Sequence, residues 1–274
     1  MTSAAASANQ SAKDVAQSKP VKIGARVGLF AYGITHLLIG WLALQIAFGG
    51  GGGEKADQGG AFQELAKQPF GRVLLWVLVV GFVATALWRL TQAIWGFGYI
   101  SDTTKKIRKK VSSGVKVVVF AGLAVLAGQT AAGGGGGGGG QQKATAGLLG
   151  LPGGQFLVGA AGLVIVIVGG AKVYAGWKKK FLDDMSLPAD QRAKQAVVRT
   201  GQVGFVAKGI SIALIGVLVL VAAVLFDPAR ASGLDAGLKG LVAQPFGPYL
   251  LGVVALGLVA YGVFCFFDAR YHKV

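Results

Sequence analysis

The sequence has one cysteine, Cys265, so it can form neither an internal disulfide nor a cysteine-based metal cluster. It has two histidines, and His272 stands in the terminal tail. His36 is therefore alone at membrane depth, which excludes a bis-histidine haem. Acidic residues are scarce, 11 against 27 Lys and Arg, and no pair of carboxylates lies in the apolar stretches. There is no HExxH and no nucleophile elbow. The glycine tracts are not phosphate loops, because no strand precedes them and no Lys-Ser/Thr follows. These absences predict a protein that is not an enzyme and holds no cofactor and no metal.

Charge of both signs is scarce as well. Charged residues make up 14% of the chain, where a soluble domain carries about a quarter. Hydrophobic residues make up 53%, and the solvent for most of the chain is lipid. A spanning helix needs about 20 apolar residues. Six stretches meet or approach that length: 27–48, 73–95, 115–132, 156–177, 203–226 and 249–267. The third is the shortest.

The net charge of +16 invites a nucleic-acid reading, but its placement argues against one. Lys and Arg gather in the N-terminal segment, in 105–116, in 178–199 and after the last apolar run. The opposite loops hold Lys55, Lys67, Lys143, Arg230 and Lys239, with Arg72 at a helix mouth. This is the positive-inside pattern. It places both termini in the cytoplasm of a multi-pass plasma (inner) membrane protein and predicts attraction to anionic headgroups. It leaves nucleic acid without a role.

The chain repeats itself. Arg26-Val-Gly-Leu-Phe-Ala-Tyr-Gly-Ile-Thr-His-Leu-Leu-Ile-Gly40 aligns without a gap on Gln202-Val-Gly-Phe-Val-Ala-Lys-Gly-Ile-Ser-Ile-Ala-Leu-Ile-Gly216. Gln68-Pro-Phe-Gly71 returns as Gln244-Pro-Phe-Gly247 at the same offset. This is an internal duplication. A fainter middle copy places Gly128 where Gly40 stands and Leu151-Pro-Gly-Gly154 where Gln-Pro-Phe-Gly stands. The expected fold is all-α and integral to the membrane, six transmembrane helices as three tandem helical hairpins in the same orientation. The divisions are a disordered tail 1–22, repeats 23–99, 100–180 and 201–274, and a cytoplasmic linker 181–200.

The duplicated helix and the Leu-Ala-Lys-Gln-Pro-Phe-Gly turn resemble a bacterial membrane family known as domain of unknown function 1206, common in actinobacteria. The resemblance covers roughly residues 22–273. It implies the three-hairpin architecture and no activity.

Finer expectations follow from local composition. Residues 61–68 form a short amphipathic piece at the outer interface, and Pro69 opens the second helix. Residues 191–198 form an amphipathic helix along the inner leaflet. Trp88, Trp95 and Tyr99 suit an interfacial belt. Glycines within the helices, such as Gly33, Gly40, Gly209, Gly216, Gly257 and Gly262, mark packing faces.

Polar groups at membrane depth are functional candidates. They are Tyr32, His36, Arg89, Lys172, Lys208 and Asp268. Two readings stand. In one, the three basic side chains snorkel to the nearby interface, His36 bonds a neighbouring helix, and Asp268 is an interfacial cap paired with a Lys or Arg. In the other, the hairpins surround a common axis and the residues converge. The second reading rests on repeat alignment, in which Lys208 falls on Tyr32, and Lys172 and Cys265 fall on Arg89. Two functions follow. One is a non-catalytic scaffold or accessory subunit, with a membrane-protein partner or a second copy. The other is a small transporter or a binder of anionic lipid or small anions at a cationic layer.

Overall fold

The computed structural model describes residues 19–49, 55–96, 103–134, 140–231, 233–242 and 244–272. Glu54, Tyr99, Lys273, the first 18 residues of the tail and most of both glycine tracts lie outside them. Among the described residues the fold is all-α. The helices are α1 (Lys19–Ala47), α2 (Gln58–Lys67), α3 (Gly71–Trp95), α4 (Thr103–Ala131), α5 (Gly140–Leu149), α6 (Gly154–Trp177), α7 (Gln191–Val224), α8 (Gly233–Val242) and α9 (Gly247–Tyr271). Six of them, α1, α3, α4, α6, α7 and α9, are long and apolar enough to cross a membrane. The protein is an all-α, multi-pass membrane protein.

Two basic segments read as loop or surface helix turn out to belong to spans. α4 starts at Thr103, so the lysine-rich stretch is its first turns. Nothing there breaks a helix before Gly114, and Lys and Arg are good helix formers. Likewise 191–198 is not a separate helix along the leaflet. Asp190 caps it by accepting from Ala193 N at 2.7 Å, and the helix runs 34 residues without interruption. At 1.5 Å per residue that is about 51 Å, well beyond the roughly 30 Å hydrocarbon core, so its first turns project past the membrane.

The Gln-Pro-Phe-Gly turn shows how the repeats are built. Pro69 lies in the turn and not at the first helical position, because α3 begins at Gly71. Phe70 and Phe246 are left-handed, with φ of 60° and 59°, and Gly153 has φ of 73° at the corresponding place. The middle turn thus has the same backbone despite its different sequence. In each copy the final glycine N–H closes the turn: Gly71 to Gln68 O at 2.9 Å, Gly154 to Leu151 O at 2.8 Å, and Gly247 to Gln244 O at 2.8 Å. A Cβ at Gly71 or Gly154 would meet a backbone carbonyl at 1.8 Å, so glycine is required there. A ten-residue helix precedes every turn: α2, α5 and α8. The amphipathic reading anticipated the first of these.

The spans follow one another round a ring. α4 packs on α3, α3 on α1, α1 on α9, α9 on α7, and α7 on α6. Among the described residues α4 and α6 share no substantial interface. Contacts between repeats recur at matching positions. A Cβ at Gly33 would lie 2.8 Å from Gly262 O, and one at Gly209 would lie 2.7 Å from Gly169 O. Gly40 meets Ala255 O at 3.0 Å, and Gly216 meets Gly162 O at 3.0 Å. The third copy of this contact, Gly128 against Val79, is looser at 3.8 Å.

Contacts inside a hairpin differ. Gly28 lies against Gly81, and Gly204 against the backbone of Tyr261, so the outer hairpins close tightly. In the middle hairpin the position of Gly28 is taken by Lys116. Those of Gly81 and Thr85 are taken by Val164 and Val168. A lysine and two β-branched residues cannot allow the same backbone approach, and this hairpin stands open. The open edges are the least buried spans: 17% of the apolar window of α6 and 28% of that of α4 are buried, against 56% for α1 and α9.

Candidate functional site

Every helix of the ring sends a polar side chain to a layer near the basic end. α1 supplies Tyr32 and His36, α3 Arg89, α4 Lys116, α6 Lys172, α7 Lys208 and α9 Asp268. Lys208 Nζ donates to Tyr32 Oη at 2.5 Å. It also lies 4.3 Å from the Tyr32 ring centre and 4.0 Å from that of Tyr261. An ammonium between two ring faces is held by the negative potential of both. Tyr32 and Lys208 are corresponding positions of two repeats, and the corresponding residue of the middle repeat, Phe120, packs 5.3 Å from Tyr32. The three meet because the repeats are arranged in a ring.

His36 is buried with Nδ1 2.8 Å from Tyr32 O. A carbonyl only accepts, so Nδ1 carries the hydrogen. The expected bond to a neighbouring helix is thus corrected, since the partner is one turn back on its own helix. The ring packs against Tyr32 and Tyr261, with centroids 4.3 and 4.9 Å away.

Arg89 is 6% exposed, donates from Nη1 to Gln92 Oε1 at 2.8 Å, and lies 4.2 Å over the Trp88 ring. Trp88, expected in an interfacial belt, is buried. Lys172 is half-buried, 5.3 Å from the Phe205 ring. It is within electrostatic reach of Arg89 and Asp268, and Lys208 is within reach of Lys172, Lys116 and Asp268. Among the described residues Asp268 bonds His272 and not the expected Lys or Arg. Its Oδ1 is 2.8 Å from His272 Nδ1, and the His272 ring meets the edge of Trp88 at 5.4 Å.

His272, Lys116 and Tyr261 were not in the candidate set. His272 looked like tail, yet it ends α9 in contact with the layer. Lys116 looked like a flank; superposing the middle repeat on Gly28 would have placed it inside. A short 3₁₀ turn, Lys180–Asp184, covers the basic end beside α7 and α9. Its Phe181 stacks on Phe205 at 5.0 Å and meets Phe264 edge-on at 5.1 Å. Ser186 N donates to Tyr271 O at 2.8 Å and fastens the following strand-like segment.

The layer thus holds four basic side chains from four helices, two of which, Lys172 and Lys208, are in electrostatic reach of Asp268, the sole acidic residue in the six spans. Among the described residues no group of three or more His, Cys, Asp or Glu is placed to hold a metal. Clustered Lys and Arg side chains of this kind are able to hold an anion.

The family described as Domain of Unknown Function (DUF1206) matches at residues 27–96, 111–179 and 203–272, one match per repeat. The chain belongs to this family. The match covers well over half of the sequence and leaves out 180–202, which carries the Phe181 turn and the projecting start of α7. The chain is similar to the "Uncharacterized protein YxxB" of Bacillus subtilis (strain 168), 28% identical over 260 residues and spanning 94% of each chain. No solved structure matches.

Proposed function

We propose that this DUF1206 protein is a non-catalytic plasma-membrane protein, with both termini in the cytoplasm, that binds an acidic headgroup or a small anion at its inner layer. One observation carries this reading: four basic side chains from four helices share one layer, Lys172 in electrostatic reach of Arg89 and Asp268, and Lys208 in reach of Lys172, Lys116 and Asp268. Like charges at membrane depth repel strongly in a low dielectric. An entering phosphate or carboxylate offsets that repulsion, with Arg89 offering a planar donor fork and the lysines point charges. The orientation rests on the basic residues gathered at one end of the ring.

The scaffold reading has its own support in the exposed apolar faces of α4 and α6, which a partner helix would cover. It accounts for the seam and not for the convergent cations.

Trp88 is a built-in reporter, stacked on Arg89. The chain in neutral-lipid nanodiscs is titrated with inorganic phosphate and, separately, with soluble dihexanoyl phosphatidylglycerol. Tryptophan emission is recorded, with Trp88→Phe as the blank. Saturable binding that weakens at least tenfold in both Arg89→Gln and Lys208→Met is expected. Phosphate alone binding indicates a small-anion site, and the lipid headgroup binding indicates a lipid site. Binding that is absent, or undiminished in both variants, overturns the reading.

A further inference from the structure

The gap between α4 and α6 has a defined lining. Repeat superposition assigns the faces that turn inward within each hairpin. On α3 the stripe is Gly81, Thr85 and Arg89; on α9 it is Gly257, Tyr261 and Cys265. In both, its first two positions press on the partner helix. On α6 the same stripe is Val164, Val168 and Lys172, one residue per turn along one face. Here no partner covers it: Val164 is 58% exposed and Val168 44%. The opposing position on α4 is Lys116.

The stripe is graded. Lys172 lies about 27 Å along α6 from its Gly154 end, and Lys116 about 22 Å along α4 from its Ala131 end, at about 1.5 Å per residue. Both therefore sit in the basic-end half of a hydrocarbon layer about 30 Å thick, and the valines lie deeper. A cationic mouth within a lysine's reach of the headgroup level, with an apolar wall deeper in, is the shape of a phospholipid. The other approach, from the basic end beside α7 and α9, is filled by Phe181 packed on Phe205 and Phe264. That leaves the side facing the bilayer.

We infer that the α4–α6 seam receives an acidic phospholipid sideways from the membrane, its phosphate at the level of Lys116 and Lys172 and an acyl chain along Val164 and Val168. This rests on the anion-binding reading of the layer and names its ligand and its route. Charge complementarity selects the lipid: the seam carries two cations and faces a layer with net positive charge, so a zwitterionic lipid gains less than an anionic one.

The test uses the full chain in mild detergent and native mass spectrometry. It is presented with equal palmitoyl-oleoyl phosphatidylglycerol and phosphatidylcholine. The variants are Val164→Trp/Val168→Trp, which fills the seam, Lys172→Gln, which removes its charge, and Lys194→Gln, a control on an exposed turn of α7. Circular dichroism confirms helix content, and the soluble-headgroup titration is repeated on each. Retention of phosphatidylglycerol at least tenfold over phosphatidylcholine is expected. It should fall at least tenfold in the double tryptophan variant and in Lys172→Gln and be unchanged in Lys194→Gln. The soluble headgroup should still bind the tryptophan variant. Equal retention of both lipids by the unmodified chain, or full retention of phosphatidylglycerol by the tryptophan variant, overturns the seam. Loss of soluble-headgroup binding in the unmodified chain overturns the layer itself, a separate failure.

Discussion

Replacing Gly209 by alanine tests whether glycine contacts hold the repeats together. The added Cβ would lie 2.7 Å from Gly169 O and 2.7 Å from Val173 N, both backbone atoms that cannot swing away. Ordinary contact starts at 3.4 Å, so α6 and α7 must part by about 0.7 Å, the difference between the two distances. A gap of that size forfeits about a quarter to a half of each dispersion contact it opens. The loss extends to Gly216 on Val166 and Gly162 on Leu220 along the same interface. Overpacking of this kind costs about 1–3 kcal/mol. Against it, alanine gains about 1 kcal/mol of helix propensity over glycine. Gly170→Ala supplies the control: it lies on the facing helix, and its Cβ would meet nothing within 4 Å. The propensity gain is common to both variants, so their difference isolates packing. SDS-driven unfolding in mixed micelles, followed by circular dichroism, should place Gly209→Ala about 1–3 kcal/mol below Gly170→Ala. Equal stability of the two would refute close glycine packing between α6 and α7.

Asp235 ties repeats one and three at the end opposite the layer: Oδ1 accepts from Ala56 N at 2.9 Å and Oδ2 from Lys239 Nζ at 2.8 Å. Asp235→Ala should cost about 1.5–3 kcal/mol in the same assay, the range for a charge-assisted bond to a buried N–H, and Lys239→Ala clearly less; equal losses would refute the Ala56 bond as the main contribution. Gly153→Ala should cost about 1–2 kcal/mol from its left-handed backbone, whereas Gly154→Ala, with its Cβ 1.8 Å from Leu148 O, should disrupt the turn; an order reversed in the unfolding assay rejects the shared turn geometry. Cysteines at Lys55 and Arg108, both exposed, should react with a membrane-impermeant maleimide from opposite sides of the membrane, with buried Cys265 giving little background; labelling from one side refutes the topology.

Much of this architecture was legible in the sequence because lipid imposes a simple code. Apolar runs gave the six spans. The Gln-Pro-Phe-Gly turn gave the repeat. Helix ends were harder. The basic turns of α4 and α7 resemble loops by hydropathy, yet nothing in them breaks a helix, so hydrogen bonding carries the helix past the lipid. The layer was half legible. Superposing the repeats brought Tyr32 and Lys208 to one position, and they bond each other. His272 was missed because it closes on Asp268 one turn earlier, and closeness to the terminus hid that i,i+4 relation. Phe181 was missed because an aromatic in a charged loop carries no periodic signal.

Ring order explains where the repeats were free to diverge. Three hairpins in a closed ring need three contacts between hairpins and three within them. The three between hairpins are all formed, and they use matching positions, Gly33 on Gly262 and Gly209 on Gly169 among them. Two of the three within hairpins are formed as well. The remaining one coincides with the exchange of Gly28 for Lys116 and of Gly81 for Val164. Had the middle repeat merely decayed, its turn should have decayed too, yet Gly153 reproduces the backbone of Phe70 and Phe246. Had α4 and α6 parted through loss of small residues alone, an apolar residue at 116 would serve as well as lysine and cost less in lipid. A lysine at that position, facing the deepest cations of the ring, is what an opening for an acidic headgroup requires. Lys116→Leu separates the two accounts: it should reduce phosphatidylglycerol retention at least tenfold. Retention unchanged by that substitution would leave the open hairpin as a packing defect and nothing more.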